Sequence, residues 1–155
     1  MRRLAILTML SAVAVLSFAA PASADSGHFV GTPSCRDTGT QVQCSGKVAG
    51  LGGTTFSITV EAEGIASVTC TNPAGNVAPG QSFETDLTGS SGPLATPRNG
   101  QFRFAVTSNA PSAPAGSCPN PQWTATVTDV QFTSDATITL REDGVVSDVI
   151  TVPIS

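Results

Sequence analysis

Phe56-Ser57-Ile58-Thr59-Val60-Glu61-Ala62 sets an apolar side chain at every second position and a hydroxyl or carboxylate between them. A repeat of two belongs to a strand with one dry face and one wet face; an amphipathic helix would space its apolar residues three and four apart. The rhythm returns at Phe102-Arg103-Phe104-Ala105-Val106, and again where Trp123, Ala125 and Val127 alternate with threonines. It returns once more where Ala136, Ile138 and Leu140 alternate with Thr137, Thr139 and Arg141. Shorter strand candidates lie at 41–45, 66–71, 82–87 and 145–152, and no window of about ten residues carries a helical period. The chain is therefore expected to be all-β, a two-layer antiparallel β-sandwich (immunoglobulin-like or a related Greek key) of about seven to nine strands.

The punctuation between these stretches agrees. Glu142-Asp143-Gly144 separates two strand patterns and reads as a tight hairpin. The connections 71–80, 89–100 and 109–121 are rich in proline and glycine and too polar to be buried, which places them at the ends of the sheets.

The first residues bear on the compartment. Arg2 and Arg3 precede an uncharged apolar run over 4–20, then Pro21 and the small-residue triplet Ala22-Ser23-Ala24. That order is a secretory signal over 1–24, cut before Asp25. The apolar run is near the lower limit for spanning a bilayer and ends at once in a proline, which argues against an anchor. The last residues show no apolar tail, so the product is expected to be a single domain, 25–155, free outside the cell and monomeric.

Removing Arg2 and Arg3 from seven cations leaves five against eleven carboxylates, and the formal charge moves from −4 to −6. Five scattered cations make no basic face, so nucleic acid and anionic membrane are excluded as partners.

Four cysteines follow the signal: Cys35, Cys44, Cys70 and Cys118. In a small exported domain an even count reads as disulfides, with three connectivities possible. The turn Asp37-Thr38-Gly39-Thr40 favours Cys35–Cys44, and with it Cys70–Cys118. Zinc is the weaker reading, because there is no C-x-x-C pair and the single histidine, His28, lies near the start of the exported chain.

Several short segments carry a resemblance: Ala49-Gly50-Leu51-Gly52, Cys70-Thr71-Asn72 with Gly75-Asn76, Asn99-Gly100, and Cys118-Pro119. In order and rough spacing, across 47–140, the chain resembles a group of small secreted β-proteins of actinobacteria and, more distantly, filamentous fungi. Pro73 and Ala74 stand where that group tends to have glycine. The resemblance implies a secreted β-domain and no particular chemistry.

The remaining candidates for chemistry are few. A Ser-His-Asp hydrolase needs an oriented, buried histidine, and His28 lies only a few residues beyond the expected cut. Glu61 with Glu63, and Glu84 with Asp86, pair carboxylates on the faces opposite the apolar residues, where a solvated sheet surface explains them better than glycosidase work. Asp129, Asp135, Glu142, Asp143 and Asp148 could supply oxygens to calcium, but no D-x-D-x-D loop is present. Trp123 is either a sugar-stacking platform or a core residue, and its alternation with Ala125 and Val127 favours the core.

No catalytic residue, cofactor or metal is assigned on these grounds. The expectation is a secreted binding protein for an extracellular protein or glycan. Its alternative is a small-molecule carrier, or a protease or glycosidase inhibitor acting through a rigid loop. The proposed contact residues are Asn72, Pro73, Gly75 and Asn76 in the 71–80 loop tethered by Cys70, with Arg98 and Asn99 from a neighbouring loop.

Overall fold

The computed structural model describes residues 27–155; the signal segment expected over 1–24 and the expected cut before Asp25 lie outside the described residues. Among the described residues there are eleven strands and no helix: β1 (His28–Phe29), β2 (Ser34–Asp37), β3 (Val42–Ala49), β4 (Thr55–Thr71), β5 (Val77–Pro79), β6 (Phe83–Ser90), β7 (Leu94–Ala95), β8 (Phe102–Thr107), β9 (Thr124–Phe132), β10 (Ala136–Glu142) and β11 (Val145–Val152). Every strand pairing is antiparallel. The strands that the alternation does not announce are β1, β2, β5 and β7, pieces of two to four residues too short to show a period.

In the first sheet β3 is central. β8 covers one edge, and β2 and β1 share the other, pairing with Val42–Ser45 and with Val48–Ala49 respectively. The second sheet is built on β4. Along one edge β4 pairs with β10 and then β9; along the other it pairs with β7, β6 and β5. β11 lies outside β10.

The two strands expected at 56–62 and 66–71 are one strand of 17 residues. Gly64 does not break it. A Cβ there would stand 2.6 Å from Val130 Cγ1 and 2.9 Å from the Gln131 carbonyl, so the residue is glycine to admit β9. Phe56, Ile58, Val60, Ala62, Ala66, Val68 and Cys70 all point inward along its length.

The core lies between the sheets. Val42, Cys44 and Val48 of β3 and Phe104 and Val106 of β8 meet Phe56, Ile58 and Val60 of β4, Ile138 and Leu140 of β10 and Val152 of β11. Each fully buried Ile, Leu or Phe contributes about 1.5–3 kcal/mol. The second half of β4 has other neighbours: Ala66, Leu87 and Val130 form a smaller cluster with Phe83, Val127 and Phe132. Trp123 belongs to neither. It is half-buried against the 113–121 segment, which corrects the core reading: alternation puts it on the inner face, but beyond the region that the first sheet covers.

Both disulfides form in the favoured pairing, Cys35–Cys44 and Cys70–Cys118. Cys35 and Cys44 face each other directly across β2 and β3. Cys70–Cys118 ties the 109–121 connection to the far end of β4. At the opposite side the last residues leave the second sheet and join the first: Asp37 N donates to Ser155 O at 2.9 Å, and Cys35 bridges to Ile154 in parallel.

Candidate functional site

The segment expected as a loop over 71–80 is mostly a hairpin. β5 pairs with the end of β4, leaving only residues 72–76 as the turn. Asn72 N donates to Asn76 O at 3.0 Å, Gly75 N donates to Asn72 O at 2.9 Å, and Asn76 N donates to Asn72 Oδ1 at 2.8 Å. Gly75 takes φ +87°, the left-handed backbone a side chain would oppose. The Asn72 side chain therefore closes the turn, whereas Pro73, Gly75 and Asn76 are exposed, and Val77 beside them is 66% exposed.

Arg98 and Asn99 do not join this tip. They sit in a turn where Gly100 N donates to Pro97 O and Gln101 N to Asn99 Oδ1. That turn follows β7, whose Ala95 pairs with Thr55 at the start of β4, while Val77 pairs with Thr71 at its end. The two places are separated by the length of β4, roughly 50 Å of extended backbone. They are neighbours in the order of loops but occupy opposite ends of the fold.

A groove of about 640 Å³ lies on the outer face of the second sheet. Glu61, Glu63, Asp86 and Asp135 line it. Glu61 stands between Thr88 of β6 and Thr137 of β10, and Glu63 faces Asp86 directly. Opposed like charges on a sheet are mildly destabilising. The break between β9 and β10 shapes one wall, and there Ser134 Oγ accepts from Glu63 N at 3.1 Å, replacing the missing ladder bond. Period-two reading places each carboxylate on the wet face; that they share one groove depends on pairing register, which no local pattern carries.

The buried polar centre of the protein lies elsewhere. Glu142, 9% exposed, accepts from Gly27 N at 2.6 Å, Gly52 N at 2.8 Å, Gly53 N at 3.3 Å and Ser147 Oγ at 2.7 Å. Burial pushes its pKa up, but the hydrogen bonds from Ser147, Gly27, Gly52 and Gly53 outweigh this, and the net movement is below the ordinary carboxylate value. Next to it Asp143, at φ +47°, accepts from the backbone of Thr55 and Thr54, and these bonds hold its carboxyl low as well. Asp148 accepts from Phe29 N and Val149 N, both at 2.9 Å. Three of the five carboxylates considered for calcium are thus engaged by backbone amides. Among the described residues no three His, Cys, Asp or Glu side chains converge closely enough to hold a metal ion.

No family model, no curated protein and no solved structure matches this chain. The surface must be interpreted from its own chemistry. His28, exposed in β1, adjoins the Glu142 centre and not the acidic groove. The groove offers acceptors and hydroxyls; the tip offers a small, fixed, uncharged projection.

Proposed function

We propose that this is a secreted binding protein that presents the β4–β5 hairpin tip to an extracellular protein or glycan. The observation that carries this reading is a tip held in one conformation by its own backbone, with Asn76 and Val77 exposed on it. A segment already ordered loses little entropy on docking. The Cys70–Cys118 bridge at the base of the hairpin adds to that order. Secretion is supported by the signal-like first residues, by two disulfides, which suit an oxidising compartment, and by the resemblance to small secreted β-proteins. The inhibitor alternative has less support, because the tip is a closed turn and not an extended stretch that a protease cleft could read as substrate. The carrier alternative has less as well, since the concavity of about 640 Å³ among the described residues is a groove at the surface, lined by carboxylates and hydroxyls.

The test is a glycan array together with a pull-down from culture supernatant, followed by tip variants against whatever binds. Asn76→Ala and Val77→Ser are expected to weaken binding by about tenfold with melting temperature unchanged, as central contact residues do. Asn72→Ala is expected to cost about 1 kcal/mol of stability, the worth of one turn-closing hydrogen bond. Binding that survives the tip variants but is lost in Glu61→Gln or Glu63→Gln would move the site to the acidic face and overturn the reading.

A further inference from the structure

β1 is attached in an unusual way. On one side it pairs with only two residues of β3, Val48 and Ala49, supplemented by Val30 N donating to Lys47 O at 2.8 Å. On its other side no strand among the described residues accepts its amides. Gly27 N instead donates to Glu142 Oε2 at 2.6 Å, and Phe29 N to Asp148 Oδ2 at 2.9 Å. Asp148 Oδ1 in turn accepts from Val149 N, so one carboxylate spans the gap between β1 of the first sheet and β11, the outermost strand of the second. The seam between the two sheets at this edge is closed by carboxylates where a continuous sheet would use backbone carbonyls.

A carbonyl accepts at any pH, whereas a carboxylate, once protonated, turns one of its acceptor sites into an O–H donor and loses the charge that strengthened the others. We propose that β1 is an acid-sensitive latch, detaching from the seam when Glu142 and Asp148 are protonated while the remainder of the sandwich stands. Detachment frees the β3 edge from Lys47 to Ala49 and lifts the Phe29 ring from Phe104, against which it packs edge-on at 6.0 Å. The 51–53 segment loosens with it, because Gly52 and Gly53 donate to the same Glu142 carboxylate. The charged groups bordering the latch are His28 on β1, Lys47 on β3, Arg141 and Asp143 on the β10–β11 hairpin, and Asp148 on β11; the 50–54 segment contributes none. His28 lies between the two amides that lose their acceptors and supplies no acceptor in their place. Core β4 has no carboxylate among its inward-facing residues and keeps its ladder throughout.

Hydrogen exchange read by mass spectrometry on the intact protein tests this. Rates in peptides covering 27–33 and 56–70 are compared between pH 7 and pH 3, after correction for the intrinsic pH dependence of exchange. Protection of 27–33 is expected to fall by at least about tenfold below roughly pH 4 while that of 56–70 is retained, the mark of sub-global opening. Asp148→Asn, alone or with Glu142→Gln, should open the same segment at pH 7. Asp148→Asn removes only the half-buried partner, so it keeps the test available where Glu142→Gln fails to fold. Protection of 27–33 that persists until 56–70 loses its own, or an Asp148→Asn protein protected like the parent at pH 7, would overturn the latch.

Discussion

Replacing Cys70 and Cys118 with alanine is expected to cost about 4 kcal/mol, from loop-closure entropy. The two residues are 48 apart in sequence, so the bridge removes a large share of the unfolded chain's freedom. Its position adds to the effect. Cys70 is fully buried at the end of β4, past the reach of the first sheet, where the 109–121 segment is the cover. Gly80 reaches the same place, its N–H donating to Val68 O at 2.7 Å, and a Cβ there would lie 2.8 Å from Cys70 Sγ. Removing the bridge leaves a void and frees the cover at once. Set against a typical 5–15 kcal/mol of total stability, such a loss shifts the unfolding midpoint far. Denaturant titration read by Trp123 fluorescence measures it, because that ring packs under the released segment. The Cys35→Ala, Cys44→Ala protein should lose less, about 2.7 kcal/mol or below, since the loop is short and the β2–β3 ladder already holds the two positions together. Equal losses from the two bridges would contradict the assignment of the larger role to Cys70–Cys118.

The second large effect is expected at Glu142. Three backbone amides and a hydroxyl converge on its two oxygens, and Gln keeps one acceptor while turning a donor toward donors. Hydrogen bonds to a charged group, and the penalty for leaving buried amides unpaired, put the cost of Glu142→Gln at about 3 kcal/mol. The pH dependence has a definite sign. In the folded protein the carboxyl titrates below its ordinary value of 4.5. Its contribution is therefore complete above that value and is lost as pH falls through the lower, folded one. Urea midpoints measured from pH 7 downward should fall steeply in the parent protein and less steeply in Glu142→Gln, where this contribution is already gone. Parallel curves for the two proteins would show that another group controls the acid limb.

How much of this is legible in one dimension differs by feature. The wet and dry faces of β4, β8 and β10 follow from local alternation, because a strand's side-chain period is a property of its own backbone. The short Cys35–Cys44 pairing follows on similarly local grounds, from the four-residue turn Asp37-Thr38-Gly39-Thr40 between the two cysteines. Alternation also separated the carboxylates of Glu61, Glu63, Glu84 and Asp86 from the core. It misled at Trp123, which stands in the turn before β9, its N–H donating to Asn120 O at 3.0 Å, and packs on the 113–121 segment instead of the core.

Other properties exist only once strands are paired. β4 became a single 17-residue strand because β9, β10, β6 and β5 pair along its whole length and bridge the glycine at 64. Arg98 and Asn99 fell at the opposite end from Asn76 for the same reason: a long strand separates loops that follow one another in sequence. Glu142 reads locally as a hairpin residue, yet its partners Gly27 and Gly52 lie 115 and 90 positions away. Register across strands and the partners of a buried carboxylate are set by long-range packing, and no local spacing encodes them. What the amino-acid order determined by itself was which side of each strand would be dry. Which strands would meet, what would converge on Glu142, and which surfaces would stand free were decided by the tertiary structure, because each requires two distant segments to share one place.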